Sequence, residues 1–275
     1  MIEVIKSGDL IHVSRPLGNG FWHVYRFRRQ SDTEPYSVNE QLVTDASWCD
    51  NPNDVTVVAP RSQLEYAYIA DGEDVGGSTH RNERVDSLTI KDNCVVTSLE
   101  EDVCITTPAF QMTQNLTSFI AAGDLSNSRL THKITASTMR VLQRHSWLRT
   151  ASLGWYYAAM MPVWNNGVYD TLEHGGQSYL FSDYLGQNNA LEIVPYALTS
   201  AATGMLHGLP IRAYVRVTDD SVDSYNNATP FWQINRGAQD DWSKWYARRS
   251  NAPNPLVVNA GDVWRADSFY RLTLG

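Results

Sequence analysis

The chain alternates apolar and polar residues over short stretches that are separated by turn signals, and this pattern runs through most of its length. In the stretch "IRAYVRVT", residues 211–218, apolar side chains occupy the odd positions and polar or charged ones the even positions. A period of two is that of a strand with one buried face. In the stretch "LGNG", residues 17–20, two glycines separate two extended runs, which indicates a tight hairpin.

Short strands with turn signals at roughly 8 to 12 residues predict a β-sandwich. We therefore expect an all-β protein, an antiparallel β-sandwich of jelly-roll or lectin/lyase-like type with few short helices. The segment Ala238–Ser250 is the best candidate for a helix. We expect one elaborate domain over 1–275. The alternative is two lobes, 1–125 and 126–275, with a seam within Ala121–Leu130.

The charge balance restricts the possible partners. The formal net charge is −8, which disfavours a surface built to neutralise a phosphate backbone, so we expect no nucleic-acid partner. Only 19% of the residues are charged, while nine Trp are present. Aromatic faces cover the C–H patches of sugars and amides satisfy hydroxyl groups, so this composition suits contact with glycans, and it also suits an ordinary β-rich protein.

The three cysteines, Cys49, Cys94 and Cys104, lack the spacing of a metal site. We interpret them as free thiols of a protein that folds in a reducing cytoplasm. The N-terminal stretch has no long apolar core typical of a signal peptide, and no stretch is apolar enough to predict membrane insertion.

Several enzyme motifs are missing from the sequence. It contains no nucleophile elbow, phosphate-binding loop, dinucleotide fingerprint or H-E-x-x-H metal helix. We expect no cofactor and no metal. Asp219, Asp220 and Asp223 could offer oxygen ligands to calcium, although the glycine and distal glutamate of an EF-hand loop are missing and a solvated loop explains them as well.

The histidines and tyrosines supply candidates for a polysaccharide lyase, which needs a base, an acid and a group that neutralises the uronate carboxylate. The possible bases are His80, His132 and His145, and the possible acids are Tyr156, Tyr157 and Tyr246. The possible neutralising groups are Arg81, Arg140 and Arg144. From these we take His80, Glu83, His132 and Tyr157 as the catalytic candidates of an enzyme. A structural role explains any single histidine equally well.

A second set of candidates would contact a glycan directly. The stretch "DDWSKWYARRS" combines aromatic rings with guanidinium groups between polar loops, so ligand contact and core packing are both open there. The candidate ligand-binding residues are Arg81, Trp242, Trp245, Tyr246 and Arg248.

The segment Asp71–Asn93 resembles part of bacteriophage tail-fibre and other host-recognition virion proteins, in which a G-G-x-H-G-x-E-like loop leads into a strand. Gly76, Gly77, His80 and Glu83 match this pattern, while Arg81 replaces the glycine after the histidine. The resemblance implies a virion-associated β-sandwich that meets host-surface glycans, with depolymerase activity as a further possibility.

Three functional hypotheses follow. The first is a receptor-binding virion protein that holds a host cell-surface polysaccharide, forms a homo-oligomer and contacts other virion proteins. The second is a β-sandwich glycan lyase or depolymerase, and the third is a structural virion protein without a ligand. In each case we expect a protein that is made in the host cytoplasm and works in the virion.

Overall fold

The computed structural model describes residues 1–60, 64–77, 82–163, 168–184, 190–193, 199–220, 231–236, 243–250 and 255–275. Almost all regular structure in these ranges is extended, with short 3-10 helices at Trp48–Asp50 and Phe181–Tyr184. The strands, numbered in chain order, are β1 Ile2–Ser7, β2 Leu10–Gly18, β3 Phe21–Arg28, β4 Ser37–Thr44, β5 Val55–Pro60, β6 Ala67–Ala70, β7 Glu73–Val75, β8 Glu83–Asp92, β9 Val95–Thr97, β10 Cys104–Thr107, β11 Ala109–Ile120, β12 Gly123–Thr135, β13 Met139–Trp147, β14 Ala151–Val163, β15 Tyr169–His174, β16 Gln177–Leu180, β17 Ala190–Ile193, β18 Ser200–Leu206, β19 Leu209–Asp220, β20 Phe231–Arg236, β21 Ser243–Ser250, β22 Leu256–Val258 and β23 Val263–Leu274.

These strands form three antiparallel sheets. A six-stranded sheet has the order β10-β1-β2-β3-β4-β5, and a ten-stranded sheet has the order β16-β15-β18-β19-β23-β13-β12-β11-β8-β9. The third sheet has the order β17-β20-β21-β14-β6-β7, with β22 paired to β14. The predicted all-β, antiparallel sandwich with few short helices is therefore confirmed.

The hairpin predicted at residues 17–20 is present, and a second tight hairpin joins β8 and β9. Strands β2 and β3 are joined through Asn19 and Gly20, with φ of 54° and 80°. Strands β8 and β9 are joined through Asn93 and Cys94, with φ of 43° and 72°. Left-handed backbone at these positions lets the chain reverse within two residues.

Strands β11 and β12 form a long hairpin whose register runs from Ala109↔Thr135 to Ile120↔Gly123. The segment Ala121–Leu130, which the sequence offers as a seam, therefore holds the turn of this hairpin and part of β12. Strands from both sides of residue 125 contribute to the same ten-stranded sheet.

The ten-stranded sheet packs one face against both other sheets. The ring of His132 in β12 meets Phe27 of β3 edge-on, with 5.0 Å between centroids. The Tyr270 hydroxyl in β23 donates to the carbonyl of Leu64 at 2.7 Å, and Trp147 in β13 contacts Tyr68 of β6 at 5.3 Å. The core lies between the sheets, so the opposite face of the ten-stranded sheet points outward.

The prediction of a short helix over Ala238–Ser250 is wrong for the described part of that segment. Ser243–Ser250 is strand β21, which pairs with β14 on one side and β20 on the other. Trp245 and Ala247 are fully buried in it. The charged residues of the stretch suggested a surface helix, but Arg248 is buried in this strand.

The prediction of three free cysteines is also wrong. Cys49 and Cys104 form a disulfide across 55 residues, with a Cα–Cα distance of 5.8 Å, and Cys94 remains an exposed thiol. The pairing arises because the 3-10 helix that holds Cys49 packs beside β1, whose Ile5 lies opposite Cys104. Spacing along the chain gives no sign of this contact. Within the described ranges, no helix is long and apolar enough to cross a membrane.

Candidate functional site

The outward face of the ten-stranded sheet carries many polar and charged side chains at its centre. In β13, Val141 and His145 are fully buried, whereas Arg144 is exposed and Arg140 partly exposed. Successive side chains of a strand point to opposite faces, so the even positions of β13 form the outer face. The same alternation places the odd positions of β23 outward from Arg265 to Thr273.

This outer face collects basic side chains, although the protein as a whole is acidic. In the centre of the sheet, on β12, β13, β23 and β19, the outward basic residues are Arg129, Lys133, Arg140, Arg144, Arg212, Arg216, Arg265 and Arg271. We call this set the basic face. A positive field on one surface of an acidic protein attracts anions to that surface.

Three arginines of the basic face stand side by side. Arg129 lies opposite Arg144, and Arg144 lies opposite Arg265 on the next strand. Like charges directly opposite each other across strands destabilise a sheet. Among the described residues, neither Arg129 nor Arg144 forms an ion pair with a carboxylate. An anion bound over the row would offset this repulsion.

Two other arginines of the basic face are held in place by carboxylates and rings. Arg140 donates two hydrogen bonds from Nε to Asp267, at 2.8 and 3.0 Å, and its guanidinium lies 5.1 Å from the Phe269 ring centroid. Arg212 pairs with Glu173 and lies 5.5 Å from the Tyr214 centroid. Guanidinium groups thus cover the outward aromatic rings.

Two depressions lie on this face. One, of about 360 Å³, is lined by Arg129, Lys133, Arg144 and Arg265 among others. The other, of about 320 Å³, is lined by Tyr214, Arg216, Phe269 and Arg271 among others. The Arg140–Phe269 contact connects them. A guanidinium binds the two oxygens of a carboxylate or sulfate in parallel, so the face is suited to such groups.

Glu83 does not lie on the basic face. It is 6% exposed, and its Oε1 accepts hydrogen bonds from the Tyr66 hydroxyl and from Ser118 Oγ. Burial raises the pKa of this carboxyl to about 7. His80 and Arg81, its predicted neighbours in a site, lie outside the described residues.

The other catalytic candidates, His132 and Tyr157, are buried. His132 is fully buried, and its Nε2 lies 2.7 Å from Oε1 of Glu65. Tyr157 is 6% exposed and packs against Tyr246, with 4.8 Å between ring centroids. His132 is buried because β12 packs against the six-stranded sheet, where its ring meets Phe27.

The predicted ligand-binding cluster on β21 is also part of the interior. Trp245 is fully buried, Tyr246 is 7% exposed and Arg248 is 1% exposed. Arg248 donates a hydrogen bond to Gln233 and lies 3.6 Å from the centroid of the Trp155 ring. These three side chains are therefore not exposed on the surface in this structure, and their contact with a glycan stays a prediction. Trp242 lies outside the described residues.

The side chains of the candidate calcium site lie outside the part of the chain that the structure describes. Asp219 and Asp220 end β19, but their side chains are not described, and neither is Asp223. Glu3 is close to Cys49 and Cys104 in space. Because those two sulfurs are bonded to each other, they are not metal ligands in this state.

Sequence reasoning identified part of the basic face and missed the rest. Arg140 and Arg144 were among the groups expected to neutralise a carboxylate, whereas Arg129 and Arg265 were not considered. Their signal was present as basic residues at alternate positions of strand-like runs, as in "RLTHK" at 129–133. The row itself depends on the strand order β12-β13-β23, which joins segments more than 100 residues apart.

No protein-family model and no curated protein matches the chain. Among solved structures, it is similar to the α-galactosidase from Lactobacillus brevis at 10% identity, with a TM-score of 0.48, over 98% of this chain and 39% of that one. It is similar to an aldose epimerase homologue from C. elegans at 9% identity and a TM-score of 0.37, over 100% and 99% of the two chains. A putative aldose 1-epimerase from Escherichia coli K12 gives 8% identity and 0.37, over 100% and 99%. The chain thus spans about two fifths of the galactosidase.

Proposed function

We propose that this protein binds an acidic polysaccharide on the basic face of its ten-stranded sheet. The observation that carries the proposal is the row Arg129–Arg144–Arg265, three neighbouring guanidinium groups on three adjacent strands. Strands lie about 4.8 Å apart, so the row presents positive charge over roughly 10 Å. A chain of carboxylate or sulfate groups laid across the strands would meet one arginine after another.

The energetics favour an anionic ligand over a neutral one. In the free protein the three charges repel each other, and a bound anion replaces this repulsion by attraction. Hydrogen bonds between a guanidinium and a carboxylate are about twice as strong as neutral ones, and they fix the orientation of the bound group. Thr131 and Gln111 line the same depression and can hydrogen-bond hydroxyl groups of the sugar.

A glycan is favoured over a single-stranded nucleic acid by the state of the outward aromatic rings. Arg140 lies over the ring of Phe269 and Arg212 over that of Tyr214, so these rings are not free platforms for stacking bases.

The glycan belongs, in this proposal, to a host cell surface, and the protein is a receptor-binding component of a virion. The resemblance of Asp71–Asn93 to tail-fibre proteins supports this. The Cys49–Cys104 disulfide supports work in an oxidising environment, because disulfides persist there. A homo-oligomer that contacts other virion proteins remains part of the same proposal.

Binding to alginate and heparin, measured by isothermal titration calorimetry at low and high salt, tests the function. We expect both to bind, with affinity that falls as salt screens the charges, and we expect no heat with neutral dextran. Arg144→Gln should weaken binding about tenfold or more, because it removes the middle charge of the row.

Arg84→Gln is the matched control. Arg84 is an exposed arginine of the same sheet that already pairs with Asp124, so its loss should leave the affinity unchanged. Equal binding of dextran, or unchanged affinity in Arg144→Gln, would overturn the proposal. Tighter binding of duplex DNA than of either polysaccharide would replace it with a nucleic-acid function.

A further inference from the structure

A further cavity lies away from the basic face. Its volume is about 360 Å³, and it is bounded by the end of β3 and by the beginnings of β4 and β8. The lining residues that matter here are Arg28, Gln30, Glu34, Ser37, Asn39 and Glu83. Glu83 pairs with Ser118 of β11, and both side chains are buried on the core side of the sheet. The cavity is therefore separate from the row of arginines, which lies on the other side.

Hydrogen bonds to one of its two oxygens hold the carboxyl of Glu83 in place. Oε1 accepts hydrogen bonds from the Tyr66 hydroxyl and from Ser118 Oγ, the latter at 3.0 Å. Among the described residues, none donates a hydrogen bond to Oε2. The Tyr66 ring is itself held edge-on against His145, with centroids 4.1 Å apart. This places a rigid hydrogen-bonding group, on a residue that is only 6% exposed, at the wall of the cavity.

The lining defines the chemistry of a ligand. Gln30, Ser37 and Asn39 offer amides and a hydroxyl, which donate and accept hydrogen bonds. Arg28 supplies one positive charge and Glu34 one negative charge. Burial, with a smaller effect of nearby Glu65, raises the pKa of Glu83 to about 7, so this carboxyl carries a proton for much of the time near neutral pH. The part of the lining that the structure describes is therefore close to electrically balanced, unlike the basic face.

We infer that this cavity binds a single neutral sugar ring or a similar polyhydroxylated small molecule. Its volume is at the lower end of the range of ligand pockets, which is enough for one ring. Vicinal hydroxyls suit amide and carboxyl groups that line the same cavity, such as those of Asn39 and Glu83, because each hydroxyl both donates and accepts. This ligand is neutral and small, so the site is distinct from the polysaccharide surface proposed above.

Saturation-transfer NMR at pH 7 tests the inference, with glucose, galactose and mannose as neutral probes and glucuronate as the charged one. We expect saturation transfer to at least one neutral sugar and a weaker signal for glucuronate. Asn39→Ala should lower the affinity for the neutral sugar about fivefold, the effect of one lost hydrogen bond. If Asn39→Ala does not fold, Gln30→Ala at an exposed position serves instead.

Asn127→Ala is the matched control, because Asn127 is an exposed asparagine on the outer face of the sheet. It should leave the sugar signal unchanged, and so should Arg144→Gln, which separates this site from the polysaccharide site. Absence of saturation transfer to every neutral sugar, or an unchanged affinity for the neutral sugar in Asn39→Ala and Gln30→Ala, would overturn the inference. Binding of glucuronate alone would overturn it too.

Discussion

Arg129 and Arg144 lie directly opposite each other on adjacent antiparallel strands, and both side chains are on the exposed face of the sheet. A protein that only needed a stable sheet would gain by replacing one of them. Like charges opposite each other cost roughly 0.2–1 kcal/mol, and Arg265 on the next strand adds a second such contact for Arg144. The row is therefore a local cost to stability that an anionic ligand removes.

Arg144→Thr should raise the free energy of unfolding by about 0.5–1 kcal/mol at low ionic strength. Threonine favours strands, and the substitution removes both like-charge contacts. The gain should shrink as salt is added, because screening weakens the repulsion in the parent protein. Urea denaturation at two salt concentrations measures it, and a loss of stability at low salt would show that the repulsion is not significant.

Reduction should destabilise the protein through the Cys49–Cys104 disulfide. Cross-links that close loops of this length, 55 residues, stabilise by about 4 kcal/mol in the chain-entropy model and often by less. Cys49→Ser should lower the free energy of unfolding by about 2–4 kcal/mol, while Cys94→Ser, at an exposed free thiol, should not. Thiol titration in denaturant without reductant should count one thiol per chain, and a count of three would contradict the pairing.

The sequence was sufficient for the fold class and insufficient for the site. Alternation in "IRAYVRVT" and the turn at Asn19 and Gly20 are local signals, and local signals determine strands and hairpins. Burial on both sides of a strand is not local. Charges flank Trp245 and Arg248 in the sequence, yet both side chains are buried, and the Trp155 ring lies against the Arg248 guanidinium. The row of Arg129, Arg144 and Arg265 is likewise not a local feature, because the order of strands in the sheet brings these residues together.

Trp245→Phe should reduce stability and leave polysaccharide binding intact. Trp245 is fully buried and its ring approaches His174 at 6.1 Å between centroids, so a smaller ring leaves a cavity in the core. We expect a loss of about 1–3 kcal/mol in urea denaturation, less than the 3–5 kcal/mol typical of truncation to alanine. A tenfold loss of affinity for alginate at unchanged stability would return Trp245 to the ligand-binding set.

Ionisation of Glu83 should make the protein less stable as the pH rises. The pKa of this carboxyl is about 7 in the folded chain, raised by burial above its ordinary value of 4.5. The folded state thus binds more protons than the unfolded state between these values, so this contribution to stability falls from pH 4.5 to pH 7 and then levels off. The full difference is about 3 kcal/mol at most.

Glu83→Gln removes this ionisation while keeping an oxygen for Tyr66 and Ser118. The variant should match the parent near pH 4.5 and be more stable at pH 8. The difference between the two proteins is the relevant quantity, because burial lowers the pKa of His145 to about 3 and gives the parent an opposite trend in acid. Glu100→Gln, at an exposed carboxyl, should show no such difference. Parallel pH profiles for Glu83→Gln and the parent would contradict the raised pKa.

Gly76 leaves room for the Tyr66 ring, which hydrogen-bonds Glu83. Its φ is +83°, and a Cβ placed there would come within 2.9 Å of Cε2 of Tyr66, the ring whose hydroxyl donates to Glu83. Gly72 has a similar φ of +90°, and a Cβ placed on it would meet nothing within 4 Å, so it isolates the cost of the backbone conformation. Gly72→Ala should lose about 1 kcal/mol in urea denaturation, the cost of left-handed backbone for alanine. Gly76→Ala should lose clearly more, because Tyr66 must also move. Equal losses in the two variants would show that the Tyr66 ring yields without cost and that the glycine serves only the turn.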